Sequence, residues 1–247
     1  MKEIYALAQR RSTVANWLYL VTAVLLVVSL SLQFVHNNTS HNYVFGLVRV
    51  FNVDAEANIP TLFSTLLLIA TGLLLWVVSN EEKARGGIDA GRWKVLAIVF
   101  LYLAADEAAS LHELFIPPGG ELLGKDRPGI FFYAWVIPYG ALVVGLGIYF
   151  LGFFLRLPMA TKVRFFLAGV LYVGGALGFE MIEGVEDQLY GHKNDAYAVM
   201  ATIEEGMEMV GVIVFIHAIM EYLAVTLNKE ATVPVAPVMA GPGKVAG

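Results

Sequence analysis

Ten acidic side chains fall inside stretches of this chain that are otherwise apolar enough to cross a membrane. They are Asp106, Glu107 and Glu113; Glu180, Glu183, Glu186 and Asp187; and Glu204, Glu205 and Glu208. A carboxylate at the centre of a bilayer costs about 2.5–3.5 kcal/mol on insertion scales. Several of them together rival the ~5–15 kcal/mol net stability of a whole domain, so something must offset the cost. Bound cations, shared protons and a water-filled cavity are the candidates. The acids are also spaced for chemistry. Asp106-Glu107 is followed after four residues by His112-Glu113, and Glu180-x-x-Glu183 and Glu205-x-x-Glu208 each bring two carboxylates onto one helix face. Carboxylates bundled between four helices are how di-iron and di-manganese proteins hold two metals, and oxygen-rich sites also suit calcium and magnesium.

The residue supply narrows that chemistry. The chain has no cysteine, which removes disulfides, thiolate metal sites, iron–sulfur clusters and covalent haem. Oxygen and imidazole remain as ligands. The five histidines are too few for a histidine-rich membrane hydroxylase, and the Glu-x-x-His pairs of the familiar di-iron pattern are absent. Iron or manganese are the favoured cofactors, with calcium, zinc or magnesium possible. The competing reading is a buried network of protonated acids hydrogen-bonded to one another, to Tyr and Ser, and to water, since burial and like-charge crowding both raise carboxyl pKa values.

The elements that must position these groups are membrane helices. Hydrophobic residues make up 58% of the 247 and mean hydropathy is +0.68, the profile of a polytopic membrane protein. Six apolar stretches are long enough to span, near 16–35, 59–79, 94–115, 131–155, 164–187 and 197–228. The first follows Arg10 and Arg11 as a signal peptide does, but it is too long and lacks a small-x-small cleavage site, so it reads as a retained helix. With the N-terminus inside, 12 of the 16 Lys and Arg residues are cytoplasmic and only Arg49, Lys125, Arg127 and Lys193 are outside. The expectation is an all-α, six-transmembrane-helix bundle in a bacterial inner membrane with both termini cytoplasmic. Residues 1–228 form the membrane domain, and the Pro/Ala/Val/Gly-rich residues 229–247 form a disordered tail. No repeat, second domain or nucleic-acid signature is present.

Orientation turns the acids into a place. At a rise of about 1.5 Å per residue, the acids of the third, fifth and sixth spans all fall in the outer half of the membrane. The second span begins there too, directly after Asp54, Glu56 and Asn58. At about 100° per residue, Asp106, Ser110 and Glu113 share one stripe with Glu107 on its flank, and His112 points elsewhere. Glu180, Glu183 and Asp187 share a second stripe, and Glu204, Glu205 and Glu208 occupy one side of the sixth helix. The predicted metal ligands are therefore Glu56, Asp106, Glu107, Glu113, Glu180, Glu183, Asp187, Glu204, Glu205 and Glu208, with His112 as a further candidate. A four-helix core of helices two, three, five and six would enclose them. Helix one and helix four, the latter kinked at Pro138, would be peripheral, and Gly174-x-x-x-Gly178 would let the fifth helix approach a neighbour closely.

The other polar residues have plainer readings. Asp54, Glu56 and Asn58 before Pro60 suit the start of a helix, which leaves capping and a ligand role for Glu56 equally open. His36, His41 and His192 read as solvated loop residues. His217 and Glu221 at i, i+4 read as a local hydrogen-bonded pair or, alternatively, as an exit step for protons or ions. Asn37-Asn38-Thr39-Ser40 matches a glycosylation sequon, a match common by chance.

Two segments, Asp54-x-Glu56-x-Asn58-x-Pro60 with Phe63-Ser64, and Ala105-Asp106-Glu107-x4-His112-Glu113, resemble a family of uncharacterised bacterial polytopic membrane proteins. The resemblance carries no activity with it. It implies that Glu56, Asn58, Asp106, Glu107, His112 and Glu113 belong to one site, and so raises His112 against the facing argument. The functional expectation is a metal-dependent oxidoreductase or hydrolase acting on a lipid-soluble substrate, with membrane lipids as its surroundings. A divalent-cation or proton transporter, and a non-catalytic subunit or sensor, are the alternatives. The absence of paired, broken inverted repeats weighs against transport.

Overall fold

The computed structural model describes residues 2–39, 44–124 and 127–227, and the tail after residue 228 and His41 lie outside them. The described residues form helices and connecting loops with no strand. In chain order they are α1 (Lys2–Gln9), α2 (Arg11–Asn38), α3 (Leu47–Phe51), α4 (Ile59–Ala84), α5 (Ala90–Ala109), α6 (Ile116–Leu123), α7 (Val136–Arg156), α8 (Met159–Val173), α9 (Glu180–Tyr190) and α10 (Asp195–Glu221). Five stretches are long and apolar enough to cross a membrane: α2, α4, α7, the continuous Met159–Tyr190 rod of α8 and α9, and Asp195–Val225. A sixth arises if α5 and the segment His112–Leu123, which meet at 78°, are taken as one broken span.

Local chemistry explains most of the boundaries. The Asn58 side chain accepts a hydrogen bond from the Thr61 amide at the start of α4, and Pro60 sits in the first turn, where its missing N–H costs nothing. Asn58 also donates to the carbonyls of Asn52 and Ala55, so capping is the role seen for this residue. Asn194 caps α10 in the same way through the Tyr197 amide. Pro138 does not kink a longer helix, because α7 begins at Val136 and the proline falls in its first turn. His36 is not a loop residue but lies in the last turn of α2.

The third predicted helix departs most from expectation. It does not run on to residue 115: α5 stops at Ala109 and Ser110 takes a left-handed conformation at φ 51°. Non-glycine residues adopt that region uncommonly. After it the chain makes a short 3₁₀ turn, His112–Phe115, and leads into α6. The shared stripe of Asp106, Ser110 and Glu113 therefore does not exist as a helical face.

Packing centres on α10, of whose apolar window 67% is buried, against 17% for α2 and 11% for α7. At one end of the bundle Trp93 is fully enclosed by Phe153, Tyr222 and Phe165, with ring centroids at 4.8, 5.0 and 5.9 Å. Polar contacts close the same end: Arg156 with Asp89, Arg11 and Arg164 with Glu221, and Tyr5 with Glu81. Hydrogen bonds from Arg156 hold the Asp89 carboxyl below its ordinary range. Glu221 thus pairs with two arginines, in place of the local pair expected with His217. Asn37 and Asn38, from the sequon, donate to Asp195 at the other end.

Close approach between helices does come from small residues, and of the expected pair only Gly174 meets a neighbour, the tip of Met207, at 3.2 Å from an added Cβ. A Cβ on Gly178 would meet nothing within 4 Å. Gly175, in the π-helical turn Gly174–Phe179, lies against the Glu204 carbonyl, where a Cβ would come within 2.9 Å. Gly211 on α10 would place its Cβ 2.9 Å from the Tyr172 nitrogen and 3.0 Å from the Ala168 oxygen, both backbone atoms. Gly211→Ala is accordingly expected to lower stability by about 1–3 kcal/mol, while Gly178→Ala leaves it level. Thermal unfolding of the two variants in the same detergent checks the contrast.

Candidate functional site

Away from the end closed by Trp93, the helices part around a cavity of about 330 Å³. Its wall carries nine acids: Asp54 and Glu56 from the loop before α4, Asp106 and Glu107 from α5, Glu113 after the break, Glu180 from α9, and Glu204, Glu205 and Glu208 from α10. His112 also lines it, and no Lys or Arg does among the described residues. Charge here must be balanced by protons or by cations that are not side chains. Eight of the acids were expected at one site. Asp54 was read only as part of a helix start, yet it lines the cavity.

Two of the expected acids stand back from the wall. Glu183 is behind it and only 1% exposed, with its Oε1 atom lacking a hydrogen-bond partner. Asp187 accepts from the Tyr133 hydroxyl at 2.7 Å and lies 3.5 Å from Nδ1 of the exposed His192, outside the cavity. Glu186, counted among the embedded acids, does not line it either.

The break at Ser110 decides where His112 goes. An unbroken helix would have carried it away from Asp106. The turn instead brings the His112 amide to 2.7 Å from Asp106 Oδ1 and its Nδ1 to 3.3 Å from Oδ2. Tyr139 donates to the same Oδ1 at 3.0 Å. Both Asp106 oxygens are thus engaged in holding the turn, and the strained Ser110 conformation is part of that arrangement. Two groups then have ligand atoms within 4.8 Å of one another: Glu56, His112 and Glu113, which is the more exposed, and Glu180, Glu183 and Glu204, which is the deeper. Trp135 lies between them. Its indole donates to Glu180 Oε1 at 3.0 Å and its ring sits 4.8 Å from that of His112.

Aromatic donors supply most of the direct contacts to the acids, and sequence reasoning missed them. Besides Trp135 and Tyr139, Tyr197 donates to Asp54 at 3.0 Å. Tyr133, Trp135 and Tyr139 all come from the segment taken as peripheral scaffold, so the start of α7 is part of the site wall. The available signal was the density of Tyr and Trp between Phe131 and Tyr139, residue types that pair an apolar body with one polar handle.

A family model described as a domain of unknown function (DUF8692) matches residues 17–223. The chain belongs to the DUF8692 family. The match runs from α2 through α10 and takes in every residue that lines the cavity. No curated protein and no solved structure matches the chain.

In this DUF8692 protein the cavity perturbs the loop acids directly. Desolvation by the surrounding protein pushes the Asp54 carboxyl up to about 6, with the Tyr197 hydrogen bond pulling the other way. Desolvation and the nearby Glu113 also push Glu56 upward. A carboxyl raised in the folded state binds more protons than in the unfolded chain, so folding stability falls as pH rises from about 4 to about 6. Asp54→Asn, which keeps an oxygen for Tyr197, should flatten that part of the thermal-stability profile. Because Asp54 is open to the cavity, the gain above pH 6 should be about 1 kcal/mol. An unchanged slope would assign the pH dependence to other groups.

Proposed function

We propose that this protein is an integral membrane protein whose cavity holds two divalent cations, iron or manganese by donor type, for chemistry on a lipid-soluble substrate. The observation that carries the reading is the pair of ligand groups, Glu56–His112–Glu113 on the cavity wall and Glu180–Glu183–Glu204 at and just behind it, where no Lys or Arg lines the cavity among the described residues. Protonated acids alone could neutralise such a wall. The deeper group, Glu180, Glu183 and Glu204, brings ligand atoms within 4.8 Å of one another, a spacing that suits a shared cation.

The residues divide the work. With a proton on Nδ1 directed at Asp106, His112 keeps its Nε2 lone pair for a cation, and Asp106 fixes the ring as a carboxylate does behind many metal-bound histidines. Asp106 is thus a positioning residue rather than a ligand. Trp135 orients Glu180 from the other side. Glu107, Glu205 and Glu208 remain on the wall to take up protons or complete a coordination shell. Bound metal would supply Lewis-acid or redox chemistry toward water or oxygen.

The basic residues argue for cytoplasmic termini and a cavity in the extracytoplasmic half of a bacterial inner membrane, with α4, α5, α8–α9 and α10 carrying the acids. Transport is the weaker reading. A through-route would have to cross the closely packed Trp93 cluster and the fully buried, apolar Met209 and Ile213.

Elemental analysis of protein purified without chelator tests the proposal, with iron and manganese loading as a second arm. Wild type should carry about two metals per chain. Glu183→Gln and Glu113→Gln should each lose about one, while the metal-free form stays as stable or becomes more so as like-charge repulsion falls. A wild-type chain that takes up neither metal after loading would remove the reading in favour of the hydrogen-bonded network.

A further inference from the structure

The cavity has a second character that metal binding leaves unused. Its wall includes Leu103 of α5, Val143 of α7, and Val173, Ala176 and Leu177 at the α8–α9 junction. Ions need none of these. The volume of about 330 Å³ lies in the range of small-molecule sites, ~300–1,000 Å³, and far exceeds what two ions occupy.

Val143 puts part of this apolar wall on α7. Among the five long spans α7 has the least buried apolar window, and a Cβ on Gly140, Gly145 or Gly147 would meet nothing within 4 Å. Across from it, Tyr102 sits on the outer face of α5, 41% exposed beside the exposed Ile98. The Tyr102 and Tyr139 hydroxyls are 2.8 Å apart. Tyr139 lines the cavity and Tyr102 does not. This one hydrogen bond therefore links the outer surface of the bundle to the cavity wall, between α5 and α7.

The direction of the chain can be deduced. Asp106 already accepts from the His112 amide, so it acts as an acceptor toward Tyr139 as well, and the Tyr139 proton goes to it. Tyr102 must then donate to Tyr139. Its oxygen is left with lone pairs and no proton, able to accept a hydrogen bond but not to give one. We propose that a lipid-soluble phenol or hydroquinone enters sideways between α5 and α7 and donates its hydroxyl to Tyr102, with its apolar chain along the open face of α7. The aromatic surroundings suit a planar head: Trp135 and Phe115 lie 5.1 and 6.1 Å from the Tyr139 ring. This deepens the metal-centre reading by naming the class of its substrate, and it rests on that reading for any chemistry but not for binding.

An interfacial tyrosine that merely meets lipid headgroups is the alternative, and the two differ in selectivity. The test uses the full chain in lipid nanodiscs, as purified, with 4-decylphenol and 4-decylanisole as probes. They share a chain and ring but only the phenol can donate. The phenol should bind about fivefold to tenfold more tightly, the worth of one hydrogen bond. Tyr102→Phe should abolish that preference while leaving metal content unchanged, and Val143→Trp should weaken both probes by filling the apolar wall. Equal binding of the two probes, or a preference that survives Tyr102→Phe, overturns the proposal. Metal content is read on the same samples, so a protein that binds phenol selectively yet holds no metal would sink the metal centre alone.

Discussion

Nine carboxylates share one cavity with a single imidazole and no cationic side chain among the described residues. Removing that much like charge from bulk water is tolerable only if each group finds hydrogen-bond donors, protons or ions inside the protein. Much of the structure around the cavity answers this constraint. Tyr139, Tyr197 and Trp135 donate to Asp106, Asp54 and Glu180 of the wall, and Tyr133 donates to Asp187 outside it. Meanwhile the ion-paired arginines and the buried Trp93 cluster sit at the opposite end of the helices. The bundle is therefore polarised, with close apolar packing and salt bridges at one end and an open, acidic chamber toward the other.

The link between Asp106 and His112 shows how the backbone serves that chamber. Helix α5 ends early, and Ser110 takes an unfavourable left-handed conformation. In exchange, the His112 amide and ring both reach the Asp106 carboxylate. The deeper group depends on a comparable irregularity. The π-helical turn at Gly174–Phe179 immediately precedes Glu180, and Gly175 within it allows α10 to come close. π turns and strained residues concentrate at functional sites because they re-aim side chains that regular geometry would send elsewhere.

Helix α7 joins the two characters of the site. Its first turns belong to the acidic wall through Trp135 and Tyr139, and further along it presents Val143 to the cavity and glycines to open space. Most of this helix is left uncovered by the rest of the described chain.

Composition, hydropathy and helical spacing were enough to determine that the chain is helical, that it has several helices apolar enough to span (six expected, five found, or six with the broken pair), and that its acids recur at i, i+3 and i+4 on particular segments. These are properties of short stretches, which local periodicity records directly. The Asn58 cap with Pro60 was equally legible, because a cap is completed within four residues. Tertiary structure alone decided that the third helix breaks at Ser110, that His112 therefore faces Asp106, that Gly175 rather than Gly178 makes the close contact, and that Tyr133, Trp135 and Tyr139 complete the wall. Each of these depends on partners 30 or more residues away or on a local conformation disfavoured in isolation. Local periodicity cannot foresee a helix that stops at a left-handed serine and turns His112 back onto Asp106.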